Sequence, residues 1–240
     1  MQPVPVRIAT LLTAAALASS AAGNALAASA GLGADYYTGP SGLSVRDLVA
    51  YGETGWGKTT LTAVGSRYSS SQTGPGTGAT LAASFPLSPQ TSFLILGGRS
   101  FGDHGYRASR LQLGPVIPIG GGRTLGVSYV RAEDNVGPST KGITAEAVFP
   151  TTASFIALAR GALASVEGGG TNLQGSAGFL WSPVSRVVLL GELALGRDAT
   201  TFPGGGASSG GVGITGPGSG PAREYVSGPA LLIGLRYVIH

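Results

Sequence analysis

The sequence predicts an all-β fold: a transmembrane antiparallel up-and-down β-barrel of twelve strands, with ten as the alternative. Three observations lead there. Charged residues make up only 11% of the chain while 42% is hydrophobic. Ordinary globular domains carry about 25% charged residues, so much of this surface is expected not to face water. Apolar residues alternate with polar or small ones in segments of about ten residues, the length that crosses a bilayer as a tilted strand. The connections between those segments alternate between short and long, as tight turns and longer loops do on the two sides of such a barrel.

The clearest segment is the last, residues 230–239. Leu231, Ile233, Leu235, Tyr237 and Ile239 share one face, and Ala230, Leu232, Gly234, Arg236 and Val238 share the other. A strand with one fully apolar face must bury it in a core or in lipid. The other predicted strands are 32–38, 43–53, 59–68, 79–85, 91–99, 107–116, 123–133, 142–149, 154–166, 171–181 and 185–197, bounded by Gly, Pro, Ser, Asn and Asp. The first two are weak, and without them the barrel closes at ten. No helical i, i+3, i+4 pattern runs through the chain, and its 42 Gly residues are too many for helix interiors. Residues 86–90, 117–122, 150–153 and 182–184 form short connections; 69–78, 100–106, 134–141, 167–170 and the Gly-rich 198–221 form long ones. If residue 239 lies on the inner, periplasmic side, every short connection falls on that side. Phe85, Phe93, Phe149, Phe155, Trp181 and Tyr237 then mark one interface, and Tyr68, Tyr106, Tyr129 and Tyr225 the other, as two aromatic girdles would.

Residues 1–27 read as a signal peptide. Arg7 is the only charge before the run 8–22 of Ala, Leu, Ser and Thr, and Ala25-Leu26-Ala27 supplies a small-residue cleavage site. The barrel is expected to occupy 28–240, with 198–221 as an extracellular loop. The chain has no Cys, so an exported form uses no disulfides. The net charge of +4 is diffuse and contains no Lys/Arg run, which argues against a nucleic-acid partner.

The signal peptide followed by alternating strands resembles the Gram-negative outer-membrane β-barrel proteins. The final Gly234-Leu235-Arg236-Tyr237-Val238-Ile239 is similar to that family's C-terminal assembly signal: a Gly, an aromatic residue three further on, and an apolar end. The resemblance implies location in the cell outer membrane, contact with outer-membrane lipid and lipopolysaccharide, and recognition of Gly234, Tyr237 and Ile239 by the barrel-assembly machinery. The family usually ends in Phe, whereas here Ile239 is followed by His240, and Pro229 limits the strand. The layout is similar to twelve-stranded barrels of the YaiO type, without a shared motif.

Several stretches look like chemistry. Gly52 to Thr59 fits G-x-x-x-x-G-K-[ST], in which Lys58 and Thr59 would serve a nucleotide and its Mg²⁺. Such a loop needs a helix after it, and the β-branched run Thr59-Thr60-Leu61-Thr62-Ala63-Val64 predicts a strand instead, so no nucleotide is expected. Gly211 to Gly216 fits G-x-G-x-x-G, but it sits in a Gly/Ser/Pro stretch without a preceding strand. His104, with Ser100 and Ser109 near it, is the one conceivable outer-leaflet lipid-enzyme site; a solvated loop histidine is the simpler reading. The chain is read as a non-enzyme with no cofactor and no metal.

On the face opposite the apolar one lie Arg110 and Gln112, Thr144 and Glu146, Asn172, Gln174 and Ser176, Arg186 and Glu192, and Arg236. Arg160 shares a face with Ile156 and Leu158, which leaves its direction open. An Arg facing lipid near the midplane would cost about 2–4 kcal/mol, so these residues are expected to face the lumen. Glu146 and Glu192 are expected to pair across the lumen with some of Arg110, Arg160 and Arg236, either as a selectivity-setting ring or as a plug of satisfied side chains. The function expected is an outer-membrane structural or interaction protein, or a narrow pore with a charged lumen. A small-solute channel, an outer-leaflet lipid-modifying enzyme and a soluble secreted β-sandwich are the alternatives.

Overall fold

The computed structural model describes residues 29–38, 44–56, 59–70, 74–105, 107–135, 139–167, 170–199, 225–227 and 229–239. The expected signal peptide, most of the Gly-rich loop and the G-x-G-x-x-G match lie outside these residues.

The described strands are β1 (Ser29–Thr38), β2 (Ser44–Trp56), β3 (Thr59–Ser70), β4 (Gly74–Ser88), β5 (Thr91–Gly102), β6 (Arg107–Gly120), β7 (Arg123–Asp134), β8 (Thr140–Thr152), β9 (Phe155–Val166), β10 (Gly170–Val184), β11 (Val187–Ala199), β12 (Tyr225–Ser227) and β13 (Ala230–Ile239). Each pairs antiparallel with its sequence neighbour from β1 to β11; β13 then joins β11 on one side and β1 on the other. The result is a closed barrel of twelve strands. The short β12 pairs only with the end of β11, so β11 continues through Asp198 and Ala199, two residues into the expected loop. The two weak segments become β1 and β2, which settles twelve over ten. A closed single sheet also replaces the β-sandwich alternative.

The pleat sorts the side chains. Leu32, Leu48, Leu61, Leu81, Ile95, Leu111, Ile143, Leu163, Leu173, Leu193 and Leu231 all stand exposed on the outer wall, one on nearly every strand. The inner face buries Tyr37, Val49, Val64, Leu94, Val116, Val148, Leu158, Leu180, Leu190 and Leu232 in one apolar cluster. Outward leucines around a full circumference would be a large unburied apolar surface in water; against hydrocarbon they are in their preferred environment.

Strand ends run further than the sequence suggested. Four register shifts fall beside Pro86, Pro118, Pro150 and Pro183, near the short-turn end of β4, β6, β8 and β10. Proline has no N–H for the ladder and is confined in sheets to edges and bulges. Here it marks a bulge inside the strand rather than the strand's end. The β6–β7 turn is the tightest consequence: Gly120, Gly121 and Gly122 have φ of 90°, 59° and 73°, a left-handed run that only Gly sustains without strain.

The outer aromatics gather toward the short turns. Phe85 faces its register partner Phe93 with ring centroids 5.7 Å apart, and Phe155 stacks on Phe179 at 5.8 Å. Trp181 and Tyr237 are exposed beside them. Toward the other end, Tyr36 and Phe101 face outward. Tyr68 does not belong to that girdle. It points inward, 2% exposed, and donates from its hydroxyl to the Phe101 carbonyl oxygen at 2.9 Å. Its ring lies over its cross-strand partner Gly76, so the missing side chain on β4 lets it reach β5. Tyr51 over Gly31 and Phe179 over Gly191 repeat the arrangement, an aromatic ring covering the backbone of a facing glycine.

Candidate functional site

The alternation of each strand carries its polar residues to the inner wall. Four adjacent strands, β8 to β11, build the main charged layer. Glu146 and Arg160 are direct register partners, Arg160 faces Ser176, and Gly178 faces Glu192. Arg160 Nε lies 2.8 Å from Glu146 Oε2, and its Nη1 lies 3.4 Å from Glu192 Oε1. The Ser176 hydroxyl donates to the same Glu192 oxygen at 2.6 Å. Small Ser176 and Gly178 on β10 leave room for Arg160 to span that strand. All three charged side chains are buried. One guanidinium between two carboxylates offsets their mutual repulsion, and the hydroxyl adds a donor that a buried carboxylate requires.

Arg160 therefore points into the lumen, and Leu158, on its face, is buried there with it. The ion pairs run along the wall between neighbouring strands or strands one apart, not across the bore.

The second pair closes the seam between the first and last strands. Arg236 donates from Nη1 to Asp35 Oδ1 at 2.6 Å and from Nη2 to Asp35 Oδ2 at 2.5 Å. Nη1 also reaches the Leu235 carbonyl oxygen at 3.0 Å. This bidentate geometry is the strong form of an Arg–carboxylate contact. Asp35 sits opposite Gly234 in the register, and a Cβ on Gly234 would collide with the Asp35 carboxylate and approach Leu190 Cδ2 to 2.7 Å. Gly234 thus has a packing reason to be glycine, while Tyr237 and Ile239 face outward.

Arg110 stands apart. It is buried and donates from Nη2 to Gln112 Oε1 at 2.9 Å, and its Nε and Nη1 make no hydrogen bond among the described residues. Arg186, assigned to the inner face from the sequence, lies instead in the two-residue turn before Val187 and is exposed, its carbonyl oxygen accepting from the Val238 N–H at 2.8 Å. Thr144 is buried next to Glu146; the side chains of Asn172 and Gln174 lie outside the description.

Sequence reasoning missed the acidic residues of the first two strands. Asp35 and Asp47 are buried inward, and Glu53, on the same face of β2, accepts from Thr62 Oγ1 at 3.5 Å. The signal was present: Gly33, Asp35 and Tyr37 alternate with Leu32, Ala34 and Tyr36. Among the described inward residues, Asp35, Asp47, Glu53, Glu146 and Glu192 outnumber Arg110, Arg160 and Arg236.

The motif matches resolve simply. Gly52 to Trp56 belong to β2, and Thr59 opens β3 opposite Trp56, so a strand follows where a phosphate loop needs a helix; Gly57 and Lys58 themselves lie outside the description. His104 falls in the short 3₁₀ turn Asp103–Gly105, its side chain undescribed. Ser100 is buried on the inner face, whereas Ser109, opposite Arg99, is on the outer one, so the two serines do not converge on one site.

The closed wall, outward leucines and inward polar layer define a transmembrane β-barrel with the architecture of outer-membrane porins. No family model and no curated protein sequence matches the chain, but solved structures do. A KdgM porin in complex with disordered oligogalacturonate superposes with a TM-score of 0.61 at 7% identity, covering 88% of this chain and 99% of that one. The NanC porin gives 0.58 at 10% identity over 88% and 99%. The CymD monoaromatic hydrocarbon channel gives 0.50 at 11% identity over 92% and 90%. At these identities the likeness is one of fold; the three structures named are two porins and a channel.

Proposed function

We propose that this chain is an outer-membrane barrel whose lumen is filled by its own side chains, with a structural or interaction role and conduction limited to a narrow, ion-bridged path. The observation that carries the reading is the burial of the inner face. Tyr37 and Leu96 are 0% exposed, and Arg160, between Glu146 and Glu192, is 7% exposed. An open aqueous bore would leave such lining residues wet. The excess of inward acids also gives no broad positive lining of the kind that suits a polyanion. The outer belt of leucines supports residence in a bilayer, and the porin architecture supports the outer membrane as that bilayer.

The test is the current carried by the purified wild-type barrel in a planar bilayer. The expected result is small or absent conductance, raised when Arg160→Gly opens the charged layer. A stable wide-pore conductance in the wild type overturns the reading. A solute channel is the second reading, favoured by the incompletely bonded guanidinium of Arg110; it requires a measurable ion preference that Arg110→Gln abolishes.

A further inference from the structure

Positive charge is segregated on the outer wall. At the long-loop end, Arg46 on β2, Arg67 on β3, Arg99 on β5, Arg107 on β6, Arg131 on β7 and Lys141 on β8 are all exposed on the lipid-facing side of the pleat. At about 4.8 Å per strand, this rim extends for about 29 Å around the barrel. Arg131 and Lys141 are direct register partners, a like-charge opposition that destabilises a sheet unless an anion intervenes. Glu133 pairs with Arg131. Arg46, Arg67, Arg99 and Arg107 have no carboxylate partner among the described residues.

Beside two of these cations the wall is not flat. A groove of about 870 Å³ runs along β13, β1 and β2, lined by Tyr36, Leu48, Leu189, Ile233 and Leu235 together with Arg46 and Arg67; the inward-facing Asp35 and Asp47 also border it. The register holds the parts together: Tyr36 faces Arg46 and Ile233, and Leu48 faces Arg67. The two cations lie toward the long-loop ends of β2 and β3, and the apolar residues of the groove lie beside them on β13, β1 and β2.

We infer that this groove binds one molecule of the phosphorylated, multiply acylated glycolipid of the outer leaflet, with its phosphates on Arg46 and Arg67 and acyl chains along Tyr36, Leu48, Ile233 and Leu235. This rests on the outer-membrane reading and deepens it by naming a lipid and a place. Two guanidiniums on adjacent strands suit an occupant with more than one phosphate, since Arg is the side chain fitted to bidentate phosphate contact. The further cations on β5 to β8 continue the same anionic layer around the wall. A zwitterionic phospholipid would fill the trough but would bring its own cation to the arginines.

The experiment uses the full-length barrel folded in detergent, with its fold established first by heat-modifiable gel mobility. Binding of lipid A, of dephosphorylated lipid A and of phosphatidylethanolamine is then measured by native mass spectrometry. The wild type should retain lipid A, and R46Q/R67Q should lose about tenfold or more in affinity for it. R123Q/R186Q, which changes exposed arginines at the opposite end, should bind as the wild type does. Dephosphorylated lipid A and phosphatidylethanolamine should bind weakly and equally to all three proteins. Equal lipid A affinity in the wild type and R46Q/R67Q overturns the inference, as does equal binding of lipid A and phosphatidylethanolamine by the wild type. Because binding is read on folded protein in detergent, those failures are distinct from failure of the outer-membrane reading, which would appear as absence from the outer-membrane fraction of cells.

Discussion

Arg236 on the last strand grips Asp35 on the first with two parallel hydrogen bonds, 2.6 and 2.5 Å long, across 201 residues of chain. No other described ion pair joins the two ends of the wall. The pair lies on the inner face, where a lone carboxylate or guanidinium would be uncompensated. Removing one partner of a buried pair costs about 3–5 kcal/mol, whereas replacing both with apolar residues is often neutral. Asp35→Ala is therefore expected to destabilise the barrel by about that amount in denaturant unfolding. Asp35→Leu/Arg236→Met should recover most of the loss. Equal stability of Asp35→Ala and the wild type would contradict the seam account.

Gly234 is expected to be intolerant of any side chain. Gly234→Asp drives a second carboxylate into Asp35 and Leu190, and should reduce the folded, heat-modifiable form in the outer membrane severely. Tyr237→Ala, which removes an exposed ring from the short-turn end of β13, should reduce it less, as should Ile239→Asp. Wild-type levels of all three would remove Gly234, Tyr237 and Ile239 from any part in assembly.

The Glu146–Arg160–Glu192 layer makes a different demand. Arg160→Met leaves two buried carboxylates without their shared counter-charge, and a loss of about 3–5 kcal/mol is expected. Glu146→Gln/Arg160→Met/Glu192→Gln should be closer to the wild type than Arg160→Met alone. Unfolding midpoints of the three proteins decide it, and a triple variant no more stable than Arg160→Met would show that the residues do not act as a network.

A pH effect is expected outside the membrane. Glu167, just past β9, accepts from the Ser139 hydroxyl at 2.8 Å and from the Ser139 N–H at 3.4 Å. These bonds, with a smaller contribution from Lys141, hold its carboxyl below the usual carboxylate range. A depressed folded value means that the clasp contributes above the ordinary carboxylate pKa of about 4.3 and is lost as pH falls through the lower folded value. Protection of the Ser139 amide, taken relative to the intrinsic exchange rate at each pH, should therefore be present at neutral pH and be lost in acid. Glu167→Gln should show little protection at either pH.

Most of the wall was legible because a period of two, once one face is apolar, leaves a single way to orient each strand. Strand ends were less legible, since Pro86, Pro118, Pro150 and Pro183 signal turns locally but sit in bulges that the neighbouring strands hold in place. The lumen was legible residue by residue and not as contacts. Arg110, Glu146, Glu192 and Arg236 could be assigned a face from their neighbours. Arg160 could not, because Ile156 and Leu158 on its face are apolar too, and only a filled lumen puts apolar and charged residues on the same side. Asp35 was hidden for another reason: its partner is set by closure of the ring, which no local pattern encodes. Tyr68 misled because a tyrosine near a loop suits an interface, and only Gly76 opposite it makes the inward position available.

The most direct test of the closed barrel is a cross-link at its seam. Leu32 and Tyr237 are register partners on the outer faces of the first and last strands, and the chain has no native Cys. Leu32→Cys/Tyr237→Cys, recovered from outer membranes and treated with an oxidant or a short bis-maleimide, should cyclise the chain and change its mobility after boiling, while either single variant should not. Protein recovered from the outer membrane that is heat-modifiable yet never cyclises would contradict a wall closed between β1 and β13.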